Sequence, residues 1–146
     1  KIRIKMSGCP NGCGLHHIAN IGFHGGAIKG PDGNQIPSFE LFLGGNYGDN
    51  NVEDSQIGTR IPKVKVPAKL VPSVVKNIVT HYKDNRKNEN ELFNQFLNRV
   101  GLEEVTAIAA KAQEIGEGAE PGSDIYVDWE RQDLYKLERG EGECAV

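Results

Sequence analysis

The chain has 146 residues, 38% of them hydrophobic and 25% charged, the ordinary composition of a soluble globular protein rather than a disordered one. A net charge of −3 and a pI of about 5.8 argue against nucleic acid or an acidic membrane surface as partner. The apolar runs are too short to span a bilayer, and three cysteines without paired spacings point to a reducing, cytoplasmic setting.

Residues 1–6 alternate Lys, Ile, Arg, Ile, Lys, Met, the pattern of a half-buried strand. The glycine-rich stretch Ser-Gly-Cys-Pro-Asn-Gly-Cys-Gly follows. Pro10 suits the first turn of a short helix that would carry Cys13 and His16 and end near Ala19. A second strand is expected from the segment Ile18 to Phe23, a turn over 30–34, a third strand ending at Gly44-Gly45, a polar loop over 46–59 and a fourth strand over 61–67.

The period then changes. Val71, Val74, Val75, Ile78, Val79 and Tyr82 recur at helical spacing, with Pro72 in the first turn. Asn88 and Glu91 form an expected capping pair ahead of a second helix with Leu92, Phe93, Phe96, Leu97 and Val100, closed by Gly101 at C′. Residues 103–115 predict a third, alanine-rich helix, 124–129 a late strand, and Tyr126 and Trp129 two late core residues. Residues 119–146 read as a flexible tail. The chain opens at Lys1 inside a strand pattern and stops in Gly-Glu-Cys-Ala-Val, so both ends are expected to be cuts within a longer polypeptide. Strands first and helices later predict an α+β fold, a mixed sheet packed with three to four helices.

Cys9 and Cys13, three residues apart, carry the chemistry. At the N-terminal end of a helix both would favour the thiolate, the form that soft metals and iron–sulfur clusters bind. Glycines 8, 12 and 14 leave little bulk around the sulfurs. Four arrangements are open on spacing alone: two buried free thiols, a small-loop disulfide, a zinc site completed by His16 or His17, or half of a [4Fe–4S] site, which needs four thiolates. Three cysteines cannot supply four, even with Cys144.

The stretch from Ser7 to Gly25 resembles the second cysteine motif of the siroheme-dependent nitrite and sulfite reductases. That motif runs Gly-Cys, three residues, Cys, six residues, an acid, a hydrophobe, Gly, a hydrophobe. Gly8-Cys9, Cys13 and Asn20-Ile21-Gly22-Phe23 match it at every spacing, with Asn20 standing where the family usually has Asp or Glu. Looser matches follow at residues 42–49, 58–67, 96–101 and 140–145.

The resemblance implies the fold of the C-terminal domain of the sulfite reductase hemoprotein, here as a partial cluster and siroheme-binding domain over 1–146. It implies a [4Fe–4S] cluster and siroheme, both completed by residues outside this chain. Cys9 would be a cluster ligand, and Cys13 a cluster ligand that also reaches the siroheme iron. Asn11 would lie against the macrocycle, Gly44, Gly45 and Asn46 would line the cofactor, and Arg60 would pair with one of its carboxylates. The implied reaction is the six-electron reduction of nitrite to ammonia or sulfite to sulfide, fed by ferredoxin or a nicotinamide cofactor, and no catalytic residue for substrate is expected in this stretch. Lys63, Lys65 and Lys69 form a candidate patch for an acidic donor. Taken alone, the chain is expected to be inactive and to self-associate through the surface that the rest of the parent protein covers. Two other functions compete: a non-catalytic zinc module on Cys9, Cys13 and His16 or His17, and a family member acting on corrin rings.

Overall fold

Alternation in the first half and helical spacing in the second resolve into four strands followed by three helices. The computed structural model describes residues 1–48 and 54–137. The strands are β1 (Ile4–Ser7), β2 (Ile21–Lys29), β3 (Gln35–Leu43) and β4 (Thr59–Pro67), and the helices α1 (Val71–Asn85), α2 (Phe93–Val100) and α3 (Leu102–Glu117). They form one mixed sheet in the order β1-β2-β3-β4, with β1 parallel to β2 and the other neighbours antiparallel.

One face of the sheet makes the main core. Ile21, Phe23, Leu41, Leu43, Ile61, Val64 and Val66 pack against Val74 and Ile78 of α1, Phe93, Phe96 and Leu97 of α2, and Val105, Ala109 and Ala112 of α3. The small residues on α3 let it approach β4 closely: a Cβ on Gly116 would lie 2.8 Å from Pro67 Cγ. At that edge the Lys65 amide donates to Gln113 Oε1 at 2.7 Å, so α3 also covers part of an open strand edge. β4 would lose its pattern if it were regular, because Ile61 and Val64 both face the core. A bulge opposite Leu41, where Ile61 to Val64 stand against that one residue and Lys63 takes φ 63°, absorbs the three extra residues.

The turn over 30–34 closes as expected, the Gly33 amide donating to the Gly30 carbonyl and the Gly30 amide to the Asn34 carbonyl. Asn88 and Glu91 do not cap α2. The Leu92 amide is met by Gln95 Oε1 at 3.0 Å, and Glu91 is held instead by Arg99, whose Nε and Nη2 reach its two carboxylate oxygens at 2.7 and 2.8 Å. The bidentate guanidinium, together with the Lys87 amide at 2.6 Å, turns the carboxylate away from the start of α2. The strand expected over 124–129 is a 3₁₀ turn at Asp124–Tyr126, followed by one bridge between Val127 and Leu134. Tyr126 is fully buried with Ile28 and Ile36 in a second small core. Trp129 is not a core residue: it is 53% exposed, its Nε1 donating to the Ala68 carbonyl and its ring beneath the Lys69 ammonium. Residues 119–137 therefore lie against the β2–β3 hairpin and the turn at Ala68–Leu70, while 138–146 fall outside the described residues.

The stretch between β1 and β2 lies directly against sheet backbone. A Cβ on Gly22 would overlap the His16 carbonyl, and one on Gly25 the Gly8 carbonyl. Glycine is required at both points by space. Gly22→Ala is expected to cost about 1–3 kcal/mol or more, read as a lower urea midpoint at unchanged slope. A second outcome concerns pH. Hydrogen bonds from Arg99, aided by the Lys87 amide, hold the Glu91 carboxyl at about 2 against an ordinary 4.5. A depressed carboxylate stabilises the fold above its unfolded value and loses that contribution as pH falls from about 4.5 towards 2. In Glu91→Gln the urea midpoint should fall less steeply across that window than in the parent protein.

Candidate functional site

Residues 8–20 leave β1 and return to β2 as successive turns. The helix expected from Pro10 to Ala19 does not form; only His16–Ile18 makes a 3₁₀ turn. Gly12 at φ 78° and Leu15 at φ 58° interrupt any helical run, and glycines at 8, 12 and 14 weaken one further. Cys9 and Cys13 thus do not sit at a helix N-terminus. They lie on a turn-built loop, Cys9 half-buried and Cys13 exposed, both as free thiols. The disulfide is not formed.

Beneath the loop lies the sheet face opposite the main core. Strand register puts Ser7 beside His24, His24 beside Glu40 and Glu40 beside Lys65 in one row, and Phe42 stands on the same face two residues from Glu40. His16 drops its ring into this row. Its centroid is 4.7 Å from Phe42, 5.1 Å from His24 and 3.8 Å from His17, and the residue is fully buried. His16 Nδ1 lies 2.7 Å from Ser7 Oγ, which also accepts the Gly14 amide at 3.0 Å. Burial, with His17 and His24 close by, lowers the His16 pKa from 6.5 to about 4, so the ring is neutral near pH 7. Its Nε2 has no partner among the described residues. His17 packs against Gly12, where a Cβ would come within 2.9 Å of its ring.

This arrangement argues against the zinc module. His16 is turned inward onto Ser7, and among the described residues no three His, Cys, Asp or Glu side chains converge where they could hold a metal ion.

The other expected site residues scatter. Asn11 is exposed in the turn between the cysteines. Gly44, at φ 81°, makes a turn, and its amide donates to the Asn20 carbonyl. Gly45 lies under the loop, where a Cβ would press on the His17 and Ala19 carbonyls. Asn46 is buried and pairs through its backbone with Gln56. Arg60 is 60% exposed in its side chain, but its Nε donates to Glu40 Oε2 at 2.6 Å, on the same carboxylate that His24 Nε2 approaches at 3.4 Å. The three lysines do not gather into one patch of bare charge. Lys65 Nζ donates to the Ala27 carbonyl at 3.0 Å, and Lys69 pairs with Asp124 at 3.4 Å with its ammonium over the Trp129 ring.

Sequence reasoning missed Asn94. It is buried on α2, its Oδ1 accepting from Asn20 Nδ2 at 3.0 Å and its own amide reaching the Gly44 and Gly45 carbonyls at 3.1 and 3.3 Å. Asn20 Oδ1 in turn accepts the Arg3 amide at 2.8 Å. A carboxylate at position 20 would lack the hydrogen that this pairing donates, so the asparagine fits its neighbour. The only sequence signal for Asn94 was a polar residue inside the apolar stripe of α2.

The donor set suits half of an iron–sulfur site. Two free thiols sit on one outer loop, and a Cβ on Gly8 beside Cys9 would meet nothing within 4 Å. Soft thiolates are the ligands such clusters take.

The family model described as the nitrite and sulphite reductase 4Fe-4S domain matches residues 1–115. A protein named sulfite reductase [ferredoxin] 1 from Mycolicibacterium paratuberculosis (strain ATCC BAA-968 / K-10) is 31% identical over 104 residues, covering 71% of this chain and 18% of its own length. The chloroplastic ferredoxin–nitrite reductase of Betula pendula is 39% identical over 82 residues, or 56% of this chain and 13% of that protein. The solved structure of the Mycobacterium tuberculosis NirA protein superposes with a TM-score of 0.63 at 29% identity, over 71% of this chain and 18% of that one. The chain thus spans less than a fifth of the length of these relatives. Its α+β architecture agrees with that neighbour, and with 115 residues matched the chain belongs to the nitrite and sulphite reductase 4Fe-4S domain family.

Proposed function

We propose that this chain is part of a siroheme reductase that takes nitrite to ammonia or sulfite to sulfide, with Cys9 and Cys13 as two of the four thiolates on its [4Fe–4S] cluster. The observation that carries this is the pair of free thiols on one outer loop, in a chain of this family. The names of the relatives support ferredoxin as electron donor and leave both anions as substrates. Free thiols suit a cytoplasmic or similarly reducing setting.

In such an enzyme Cys13, the exposed thiol, would hold both the cluster and the siroheme, and Cys9 would hold the cluster alone. When bound, the two cofactors would supply single-electron storage and the iron that takes the anion. The chain itself fixes where the thiols stand. β1 and β2 hold the two ends of the loop, Gly22 and Gly25 seat its backbone, and the Asn20–Asn94 pair ties its exit to α2. Arg60 is a weaker candidate for a siroheme carboxylate than its type suggests, because Glu40 already neutralises it. Three cysteines in the sequence leave a four-thiolate cluster dependent on a cysteine from outside it, so the chain alone should not turn over either anion.

The test uses the full-length protein carrying this segment, purified anaerobically. It should show siroheme bands and about five irons per chain, four in the cluster and one in the macrocycle. Cys13→Ser should lose most of the iron and the siroheme bands together, and Cys9→Ser most of the cluster iron. Bound zinc without visible absorbance would overturn the assignment.

A further inference from the structure

Ser7 has one hydroxyl proton and two neighbours. The Gly14 amide can only donate to Ser7 Oγ, at 3.0 Å. The His16 ring, neutral near pH 7, has one nitrogen free to accept, and Nδ1 stands 2.7 Å from the same oxygen. With the Ser7 hydroxyl donating to Nδ1 and its lone pair taking the Gly14 amide, Oγ, Nδ1 and the amide are all paired, and the ring proton sits on Nε2. His16 cannot swing away, because it is fully buried between His17, His24 and Phe42. The ring therefore fixes the hydroxyl, and the hydroxyl fixes the amide that directly follows Cys13.

That amide matters to sulfur. A backbone N–H that bonds a ligating sulfur stabilises the reduced, more negative cluster and raises its potential. Here the Gly14 N–H is spent on Ser7. We infer that Ser7 and His16 are positioning residues that keep the Gly14 amide off the Cys13 sulfur and so hold the potential of the bound cluster low. The potential half of this inference rests on the functional reading above; the positioning half does not.

Two measurements separate them. In this chain, Ser7→Ala should speed hydrogen exchange at the Gly14 amide by about tenfold, the loss of one hydrogen bond. The Leu15 amide, bonded to the Gly12 carbonyl at 2.7 Å, should keep its protection and so report that the loop still folds. His16→Asn, whose Oδ1 can replace Nδ1 as acceptor, should preserve Gly14 protection. In the cluster-loaded full-length protein, Ser7→Ala should shift the cluster midpoint potential to more positive values, and His16→Asn should leave it in place. Unchanged Gly14 exchange in Ser7→Ala overturns the positioning. Lost protection with an unmoved potential overturns the tuning. A parent protein that assembles no cluster overturns the functional reading and the tuning with it, while the exchange result still decides the positioning.

Discussion

Backbone lying on backbone is the constraint on which the site depends. Beyond one 3₁₀ turn at His16–Ile18 the cysteine loop has no regular structure of its own, so its shape is imposed by what it touches. Gly22 takes the His16 carbonyl and Gly25 the Gly8 carbonyl, at separations no side chain would permit. The parallel pairing of β1 with β2 sets the span that the loop must cover. The Gly58 amide, donating to the His17 carbonyl at 2.6 Å, ties the same loop to the approach of β4. The thiols are thus placed by the sheet and not by a helix.

A polar layer between loop and sheet completes this arrangement. Ser7, His16, His24 and Glu40 occupy the face that a two-layer fold would otherwise leave to solvent. Burying imidazoles there is costly unless their nitrogens are paired or stay uncharged, and the low His16 pKa is the expression of that cost. Glu40 serves as the outer boundary, collecting His24, Arg60 and, more distantly at 3.9 Å, Lys65. The main core on the other face is conventional by comparison, built from aliphatic and aromatic side chains of all three helices.

Much of this was legible in the residues. The alternating runs at 1–6 and 61–67 became β1 and β4, and the valine and isoleucine spacing from Val71 to Tyr82 became α1, because period is a direct record of which face is buried. The strand expected over Ile18 to Phe23 is β2 at Ile21–Lys29, begun later and carried on through His24, Gly25 and Gly26. The cysteine spacing led to the family. What was not legible depended on long-range contacts. Pro10 resembled a helix start, but Gly12 and Leu15 adopt left-handed backbone because the loop must fold back onto the sheet. Asn88 and Glu91 had the spacing of a cap, yet Arg99, eight residues beyond Glu91, claimed the carboxylate. Asn94 was hidden because its partner lies 74 residues away. Trp129 looked like core by composition, and the structure uses it as an outer cover for Lys69.

The bulge in β4 also bears on how this segment can vary in length. β4 sets four residues, Ile61 to Val64, against Leu41 alone, so a residue lost or gained there changes the length of the bulge and leaves the pairing on either side in place. β2 has no such slack, since it is paired along both sides where β1 and β3 flank it. A single deletion in β2 would turn Ile21 and Phe23 towards the loop and bring His24 into the core. Insertions and deletions among relatives should therefore collect in β4 and avoid β2, so the strand nearest the cysteines is also the one whose length is least free to drift.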